Sequence, residues 1–183
     1  MLFDMSKSKS ILNKNQLNIT IHRLCHQLIE NHDHFSNTVI IGLQPRGVYL
    51  ASRIVECLKS IDVRHNDIEY GQLDITFYRD DFRRGNELLQ ASETNITTSL
   101  ENKKVVLIDD VLFTGRTVRA ALDALHDFGR PQSVELLVLI DRRLSRHVPI
   151  QPNYVGHKVD VVAQERVSVE WGENERVILL TNE

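Results

Sequence analysis

The chain has little cysteine and no long apolar run. Cys25 and Cys57 are its only cysteines. Each falls in an apolar helical pattern, so we expect two buried free thiols, and the absence of any CxxC pair argues against zinc. The first 14 residues lack the apolar core of a signal peptide, and no apolar stretch approaches membrane-spanning length. Together these absences favour a cytoplasmic protein.

A strong excess of charge of either sign is also missing. The 22 Lys and Arg residues against 25 Asp and Glu residues give a formal net charge of -3. That balance does not mark the whole chain as a nucleic-acid binder, although it is compatible with a local basic face. With 42% hydrophobic and 26% charged residues, the composition predicts one globular domain spanning residues 1–183.

Apolar periodicity predicts alternating helices and strands. Helical spacing covers residues 15–30, 48–58 and 117–128, and apolar or alternating runs predict strands at residues 38–43, 71–78, 105–108 and 133–140. This alternation predicts an α/β fold with a mostly parallel central sheet flanked by helices. Ligands of such sheets gather at the carboxyl ends of the strands, where the loops at residues 44–47, 109–117 and 141–146 are expected to meet.

Three segments fall outside this alternation. Residues 1–10 show no period, and we expect residues 1–14 to form a partly mobile arm. Residues 79–102 are polar and poor in aliphatic side chains, which predicts a flexible lid loop. Two apolar runs near the end, at residues 167–171 and 177–180, flank a Gly-Glu-Asn-Glu turn and predict a C-terminal hairpin.

The segment VVLIDDVLFTGRT, residues 105–117, carries the strongest functional pattern. A buried strand delivers Asp109 and Asp110 to the sheet edge, and a loop with Thr114, Gly115 and Thr117 opens a helix. The free N–H groups of the helix start, a close-approaching glycine and the hydroxyl donors predict a phosphate site. Carboxylates beside a phosphate need another partner, and ribose hydroxyls, alone or with Mg²⁺, fit that need. Taken singly, these residues could be a helix cap and an ordinary turn; the whole string favours the phosphate site.

The same string resembles the phosphoribosyl-diphosphate signature of type I phosphoribosyltransferases. The segments DDVLFTGRTVRAALDALHDFGRP, LDITFYRDD and GLQPRG more closely resemble the bifunctional pyrimidine-operon attenuation regulators that are also uracil phosphoribosyltransferases. The likeness runs from about residue 10 to residue 156. It implies the type I phosphoribosyltransferase fold, with a small hood and C-terminal hairpin over residues 142–183.

The resemblance implies roles for individual residues. Asp109 and Asp110 would bind the ribose 2′ and 3′ hydroxyls and, indirectly through them, Mg²⁺. The rest of the ribose-phosphate site would be formed by Val111, Leu112, Phe113, Thr114, Gly115, Arg116 and Thr117, of which the last four would hold the 5′-phosphate. The loop that would hold the pyrophosphate through its backbone amides consists of Gln44, Pro45, Arg46 and Gly47.

Catalysis is assigned by the resemblance to Arg46, Arg79, Asp109 and Asp110. Arg79 belongs to the segment Tyr78-Arg79-Asp80-Asp81, which begins the lid that closes over the reacting groups in the family and would exclude water; the alternative is a charged turn. We expect an oxocarbenium-like transition state with charge growing on the leaving pyrophosphate. Mg²⁺, Arg46 and loop amides would stabilise that charge.

Phe113 and Arg142 are the candidates for contact with the base. In the resembling hypoxanthine-guanine enzymes an aspartate at the position of Phe113 faces the purine. An aromatic ring can stack but cannot exchange a proton, which disfavours a 6-oxopurine and is compatible with conversion of uracil to UMP. The hood departs from the family, because Arg143-Leu144 replaces Gly-His after Asp141-Arg142. A purine phosphoribosyltransferase stays the alternative enzyme.

The resembling regulators also bind a messenger RNA leader through a basic face. Arg23 and His26 match basic positions on the first helix of that family, although both could simply lie on the solvated face of an amphipathic helix. A second hypothesis is therefore an RNA-binding nucleotide sensor with vestigial catalysis. The resemblance also suggests a homodimer or a higher homo-oligomer.

Overall fold

The computed structural model describes residues 7–80, 93–161 and 165–181. Within these ranges, strands and helices follow in the order β1 (Lys7–Leu12), α1 (Lys14–His32), β2 (Thr38–Leu43), α2 (Gly47–Ile61), β3 (Glu69–Leu73), β4 (Lys104–Leu112), α3 (Arg116–Leu125), β5 (Ser133–Arg142), β6 (Tyr154–Val159), β7 (Glu165–Glu170) and β8 (Arg176–Thr181). No helix in the described ranges is long and apolar enough to cross a membrane.

The central sheet has five parallel strands in the order β3-β2-β4-β5-β6. All six residues of β2 are buried, because α1 and α2 cover one face of the sheet and α3 covers the other. Burial on both faces explains why the inner strands β2, β4 and β5 are largely continuous apolar runs in the sequence rather than alternating ones. The predicted α/β architecture is confirmed.

Helix α2 lies unusually close to the sheet where it begins. A Cβ atom at Gly47 would lie only 2.4 Å from the carbonyl oxygen of Ile108 in β4, so a larger residue would force the two elements apart. The start of α2 is therefore fixed beside the end of β4, which brings the loops after β2 and β4 together.

A separate antiparallel sheet has the order β1-β8-β7. Strands β7 and β8 form the predicted C-terminal hairpin, which is confirmed, and β1 pairs along β8 from Lys7 opposite Thr181. Residues 7–10, which show no period in the sequence, thus belong to a strand; the mobility expected of residues 1–14 stays a prediction. The partners of β1 lie some 170 positions away along the chain, so local periodicity carries no signal for this strand.

Three further features differ from the sequence expectations. The strand predicted for residues 71–78 ends at Leu73, because the Asp74 carboxylate accepts from the N–H of Thr76 at 2.7 Å and starts a turn. Phe77, which lies inside the predicted strand, is 69% exposed. Strand β6 was not predicted. Of the two cysteines, both free thiols, Cys25 is buried as expected and Cys57 is only half-buried.

Candidate active site

A buried carboxylate pair lies near the carboxyl end of the central strand. Asp109 and Asp110 belong to β4 itself, which runs on to Leu112 instead of ending at residue 108 as predicted. They are 9% and 5% exposed, and the backbone N–H of Asp110 donates to Asp109 Oδ1 at 2.9 Å. The Oδ2 atom of Asp110 has no hydrogen-bond partner among the described residues, although a buried polar atom normally has one.

Burial makes ionisation of this pair difficult. It raises the pKa of Asp109 to about 8, and the adjacent charge of Asp110 adds to the rise. Burial also raises the pKa of Asp110, against which the positive charge of Arg46 acts. Such a pair is suited to bind a cation or hydroxyl groups, because either would stabilise the ionised carboxylates.

The loop after the acid pair opens helix α3 through a left-handed glycine. Gly115 has φ +86° and precedes the first helical residue, Arg116, a conformation that favours glycine. Thr114 Oγ1 accepts from the N–H of Arg116 at 3.4 Å. The first N–H groups of a helix lack intrahelical partners and carry partial positive charge, so this loop has the character of an anion site.

An open cleft of about 270 Å³ adjoins the loop. It is lined by Arg79, Asp80, Phe113, Thr114, Arg116 and Thr117. Asp80 forms an ion pair with Arg116 and lies 3.9 Å from Arg119. The structure thus brings the described start of the predicted lid against the predicted phosphate loop; Asp81 and the lid up to residue 92 lie outside the described residues.

The second predicted loop reaches the same edge of the sheet. The Gln44–Pro45 peptide bond is cis, and the Gln44 side chain donates to the carbonyl of Glu93 at 2.8 Å. Arg46 is exposed, and its charge acts on both carboxylates of the pair. Gly47 begins α2. The acid pair therefore lies between the two loops predicted to hold pyrophosphate and 5′-phosphate.

Arg142 and Phe113 form a cation–π pair beside the cleft. Arg142, the last residue of β5, is 5% exposed, and its Cζ atom lies 4.0 Å from the centroid of the half-exposed Phe113 ring. Burial lowers the pKa of Arg142. Its Nε and Nη2 have no hydrogen-bond partner in the described part of the chain. Two buried donors without acceptors suit a ligand that brings carbonyl oxygens.

One residue of this site was missed from the sequence. Arg146 forms an ion pair with the buried Asp141 and donates to the carbonyls of Leu112, Arg142 and Ile150 at 3.2, 3.2 and 3.1 Å, and to that of Phe113. The available signal was Asp141 itself, because an acid at the end of a buried strand needs a cationic or donor partner nearby.

The two predicted RNA contacts lie on a different surface. Arg23 and His26 are both on the exposed face of α1. The Arg23 guanidinium donates to the carbonyls of Val155 and Gly156 in β6, so its charge is held at the junction between α1 and β6.

Ribose hydroxyls and a phosphate are the groups that a carboxylate pair and a helix N-terminus accommodate side by side. Such an arrangement is typical of α/β proteins that bind sugar phosphates at the edge of a parallel sheet. The chain belongs to the phosphoribosyl transferase domain family, whose family model matches residues 7–171.

Several relatives resemble the chain over nearly its whole length. It is 44% identical over 178 residues to the bifunctional protein PyrR of Caldicellulosiruptor bescii, covering 96% of each chain. It is 37% identical over 184 residues to the bifunctional protein PyrR of Bacillus subtilis, covering 98% of this chain and 100% of that one.

Solved structures with the same fold include a hypoxanthine phosphoribosyltransferase from Staphylococcus aureus, with a TM-score of 0.64 and 22% identity, covering 84% of this chain and 80% of that one. A hypoxanthine-guanine phosphoribosyltransferase from Bacillus anthracis has a TM-score of 0.64 and 17% identity, with coverage of 83% and 84%. At these identities the likeness establishes the fold alone.

Proposed function

We propose that the protein transfers the phosphoribosyl group of phosphoribosyl diphosphate to uracil, giving UMP and pyrophosphate. The observation that carries this proposal is the buried, incompletely bonded pair Asp109–Asp110, followed directly by the glycine-opened start of α3. In the reaction the bond from ribose C1 to the pyrophosphate oxygen breaks and a bond from C1 to uracil N1 forms. The proton on N1 is released.

The acid pair and the two loops have complementary tasks. The carboxylates of Asp109 and Asp110 would accept hydrogen bonds from the ribose 2′ and 3′ hydroxyls. The start of α3, with Thr114 and Thr117, would hold the 5′-phosphate. Arg46 and the amides of its loop would stabilise the charge that grows on the departing pyrophosphate. Arg79 lines the cleft and would add positive charge over the reacting centre.

The acid pair also suits a divalent cation. In the described ranges no group of three or more His, Cys, Asp or Glu side chains converges, so a cation here would take most of its ligands from substrate oxygens and water. Mg²⁺ is commonly bound in this way, through one or two carboxylates and substrate phosphates. When bound, Mg²⁺ supplies positive charge that favours departure of pyrophosphate.

Selection of a pyrimidine is supported by the Arg142–Phe113 pair. The Phe113 ring offers a stacking face, and the unpartnered donors of Arg142 would bind a carbonyl oxygen of uracil. Phe113 cannot accept the N–H of a 6-oxopurine or exchange a proton with it. A purine phosphoribosyltransferase is the alternative that these two residues argue against.

The test is pyrophosphate release from phosphoribosyl diphosphate and Mg²⁺, with uracil, hypoxanthine, guanine and adenine supplied separately. Release with uracil alone supports the proposal. Release with a purine would refute the role given to Phe113. If the diphosphate binds but no base supports release, the sensor hypothesis replaces catalysis.

A second function is proposed on the α1 surface: binding of a pyrimidine-operon messenger RNA leader. Arg23 and His26 lie on one exposed face, and Arg23 contacts the strand that carries His157 and Lys158, which would extend a basic strip. The test is filter binding of such a leader transcript at several salt concentrations, with and without UMP and with an antisense transcript as control. Affinity that falls steeply with salt and weakens in Arg23→Gln supports RNA binding; equal affinity for the antisense transcript contradicts it.

We also propose that the protein acts in the cytoplasm as a homodimer or higher homo-oligomer. Support comes from an open, mainly apolar groove of about 520 Å³ beside Tyr49 and Trp171, whose ring centroids lie 6.4 Å apart in a stacked arrangement while Tyr49 is half-exposed. Sedimentation measurements on the wild type and on Tyr49→Ser test this; a monomeric wild type would contradict it.

A further inference from the structure

Arg146 is held by five acceptors from several parts of the site. Its guanidinium pairs with the Asp141 carboxylate and bonds to the carbonyls of Leu112, Phe113, Arg142 and Ile150. A guanidinium has five N–H donors in a planar fork and no acceptor. This arrangement joins the end of β4 to the end of β5 and to the segment that follows β5.

The two residues that follow Arg146 bind the carbonyl of Thr114, the next one along the chain after that of Phe113. The backbone N–H groups of His147 and Val148 both donate to the carbonyl of Thr114, at 3.0 and 3.3 Å. A Cβ atom at Gly115 would lie 2.7 Å from Val148 Cγ2, so the two segments are in direct contact. The carbonyls of residues 112, 113 and 114 are therefore all bonded to residues 146–148.

Bonding of three successive carbonyls determines the direction of three amides. In a planar trans peptide the carbonyl of one residue and the N–H of the next point in opposite directions. With the carbonyls of residues 112–114 turned toward residues 146–148, the N–H groups of Phe113, Thr114 and Gly115 turn away from them. These amides directly precede the start of α3, which has free N–H groups of its own.

We propose that Arg146 is a positioning residue for the 5′-phosphate site, which it serves by fixing the amides of Phe113 and Thr114 toward the phosphate. The inference deepens the proposed function and rests on it for the identity of the anion. Arg146 does not touch the ligand. Through Asp141 and the carbonyl of Arg142 it also ties the phosphate loop to the strand end that carries the base contact.

The planar fork is the property that distinguishes Arg146 from a simple charge. Lysine at this position could keep the ion pair with Asp141, and hence the charge balance of the buried acid, but its single nitrogen cannot at the same time bond to the carbonyls of Leu112 and Phe113, which Arg146 reaches through a different nitrogen. Arg146→Lys is therefore the informative variant, and Arg146→Gln is the more severe one. Arg143→Gln is the matched control, because Arg143 lies in the same segment but forms an exposed ion pair with Asp160.

The experiment measures binding of ribose 5-phosphate by calorimetry and steady-state kinetics with phosphoribosyl diphosphate, alongside thermal unfolding. For Arg146→Lys we expect binding of ribose 5-phosphate and the KM for phosphoribosyl diphosphate to worsen about tenfold or more, the size of one lost charge-assisted hydrogen bond. The kcat at saturating diphosphate should stay near the wild-type value. Arg143→Gln should match the wild type in all three measurements.

The possible outcomes distinguish positioning of the phosphate loop by Arg146 from a mere loss of folded protein. They also distinguish failure of this proposal from failure of the proposed uracil transfer. A lower kcat with unchanged KM would indicate only loss of folded enzyme and would overturn the proposal, as would wild-type binding of ribose 5-phosphate by both Arg146 variants. If ribose 5-phosphate binding depends on Arg146 but no base is turned over, the positioning role holds while uracil transfer fails. If the wild type does not bind ribose 5-phosphate, the phosphate site and the role of Arg146 are both refuted.

Discussion

Replacing Asp109 with asparagine should make the ligand-free protein more stable. The pKa of Asp109 is raised from 3.8 to about 8 by burial and by the charge of Asp110. Between these pH values the unfolded chain has lost a proton that the folded protein still binds. The free energy of unfolding therefore falls as pH rises from about 4 to about 8. Asparagine removes this titration while its Oδ1 can still accept from the N–H of residue 110.

The size of the effect follows from the shift in pKa. One pKa unit corresponds to about 1.4 kcal/mol. At pH 7, about 3 units above its ordinary pKa, an Asp109 carboxyl that is still protonated in the folded protein lowers the free energy of unfolding by about 4 kcal/mol at most. The NH₂ group of the buried asparagine in Asp109→Asn also needs hydrogen-bond acceptors, which reduces the benefit by about 1 kcal/mol. The free energy of unfolding should therefore increase by about 2 to 3 kcal/mol. For a domain of this size that gain raises the Tm by about 5 to 10 °C.

Differential scanning calorimetry at pH 5 and pH 7.5, without ligand, measures this gain. We expect the advantage of Asp109→Asn over the wild type to be larger at pH 7.5 than at pH 5. Asp67→Asn is the control, because Asp67 is exposed and its loss should change stability by less than about 0.5 kcal/mol. An Asp109→Asn variant that is less stable than the wild type at pH 7.5 would refute the argument that this acid is held at a cost to folding.

Three further predictions follow from the same geometry. Asp110→Asn should fold normally but lower kcat/KM for phosphoribosyl diphosphate by about 10- to 100-fold, because it weakens hydrogen bonds to ribose; unchanged kinetics would contradict the assigned role. Gly115→Ala should raise the KM for the diphosphate, since φ is +86° and Val148 crowds the new Cβ; Gly172→Ala, also at positive φ but with nothing within 4 Å, should leave kinetics unchanged. Burial lowers the pKa of His32, so the unfolded chain binds more protons at acid pH. The stability contributed by neutral His32 should therefore fall from pH 7 to pH 5, so the Tm of the wild type relative to that of His32→Gln should be lower at pH 5 than at pH 7; a Tm difference that does not change with pH would contradict this.

The sequence predicts the centre of the fold well because its strands are buried on both faces. Residues 38–43 were predicted as a strand with the observed bounds of β2, and β5 begins at Ser133 as predicted. The confirmed expectations of the fold depend on two local patterns, continuous apolar runs and helical spacing. The acid pair followed by a hydroxyl–glycine turn is also a local pattern, and the site that it indicates stays a prediction. The structure brings the acid pair, the loop of Arg46 and Phe113 to one edge of the sheet.

Features that depend on distant partners could not be predicted in the same way. Strand β1 exists because β8 offers its edge, and β6 because β5 does. In β6, Gly156 lies so close to β5 that a Cβ would be 2.4 Å from the carbonyl of Leu139. Arg146 is one of several arginines near the end of β5, and only the folded chain shows that its acceptors converge from Leu112, Asp141 and Ile150.

Transfer of a labelled base tests the central claim most directly. Purified protein is incubated with carbon-labelled uracil, phosphoribosyl diphosphate and Mg²⁺, and the products are separated by chromatography. The account predicts that the label appears in UMP together with an equal amount of pyrophosphate, and that Asp110→Asn loses most of this conversion. Label that stays in uracil while the protein binds the diphosphate would contradict the account.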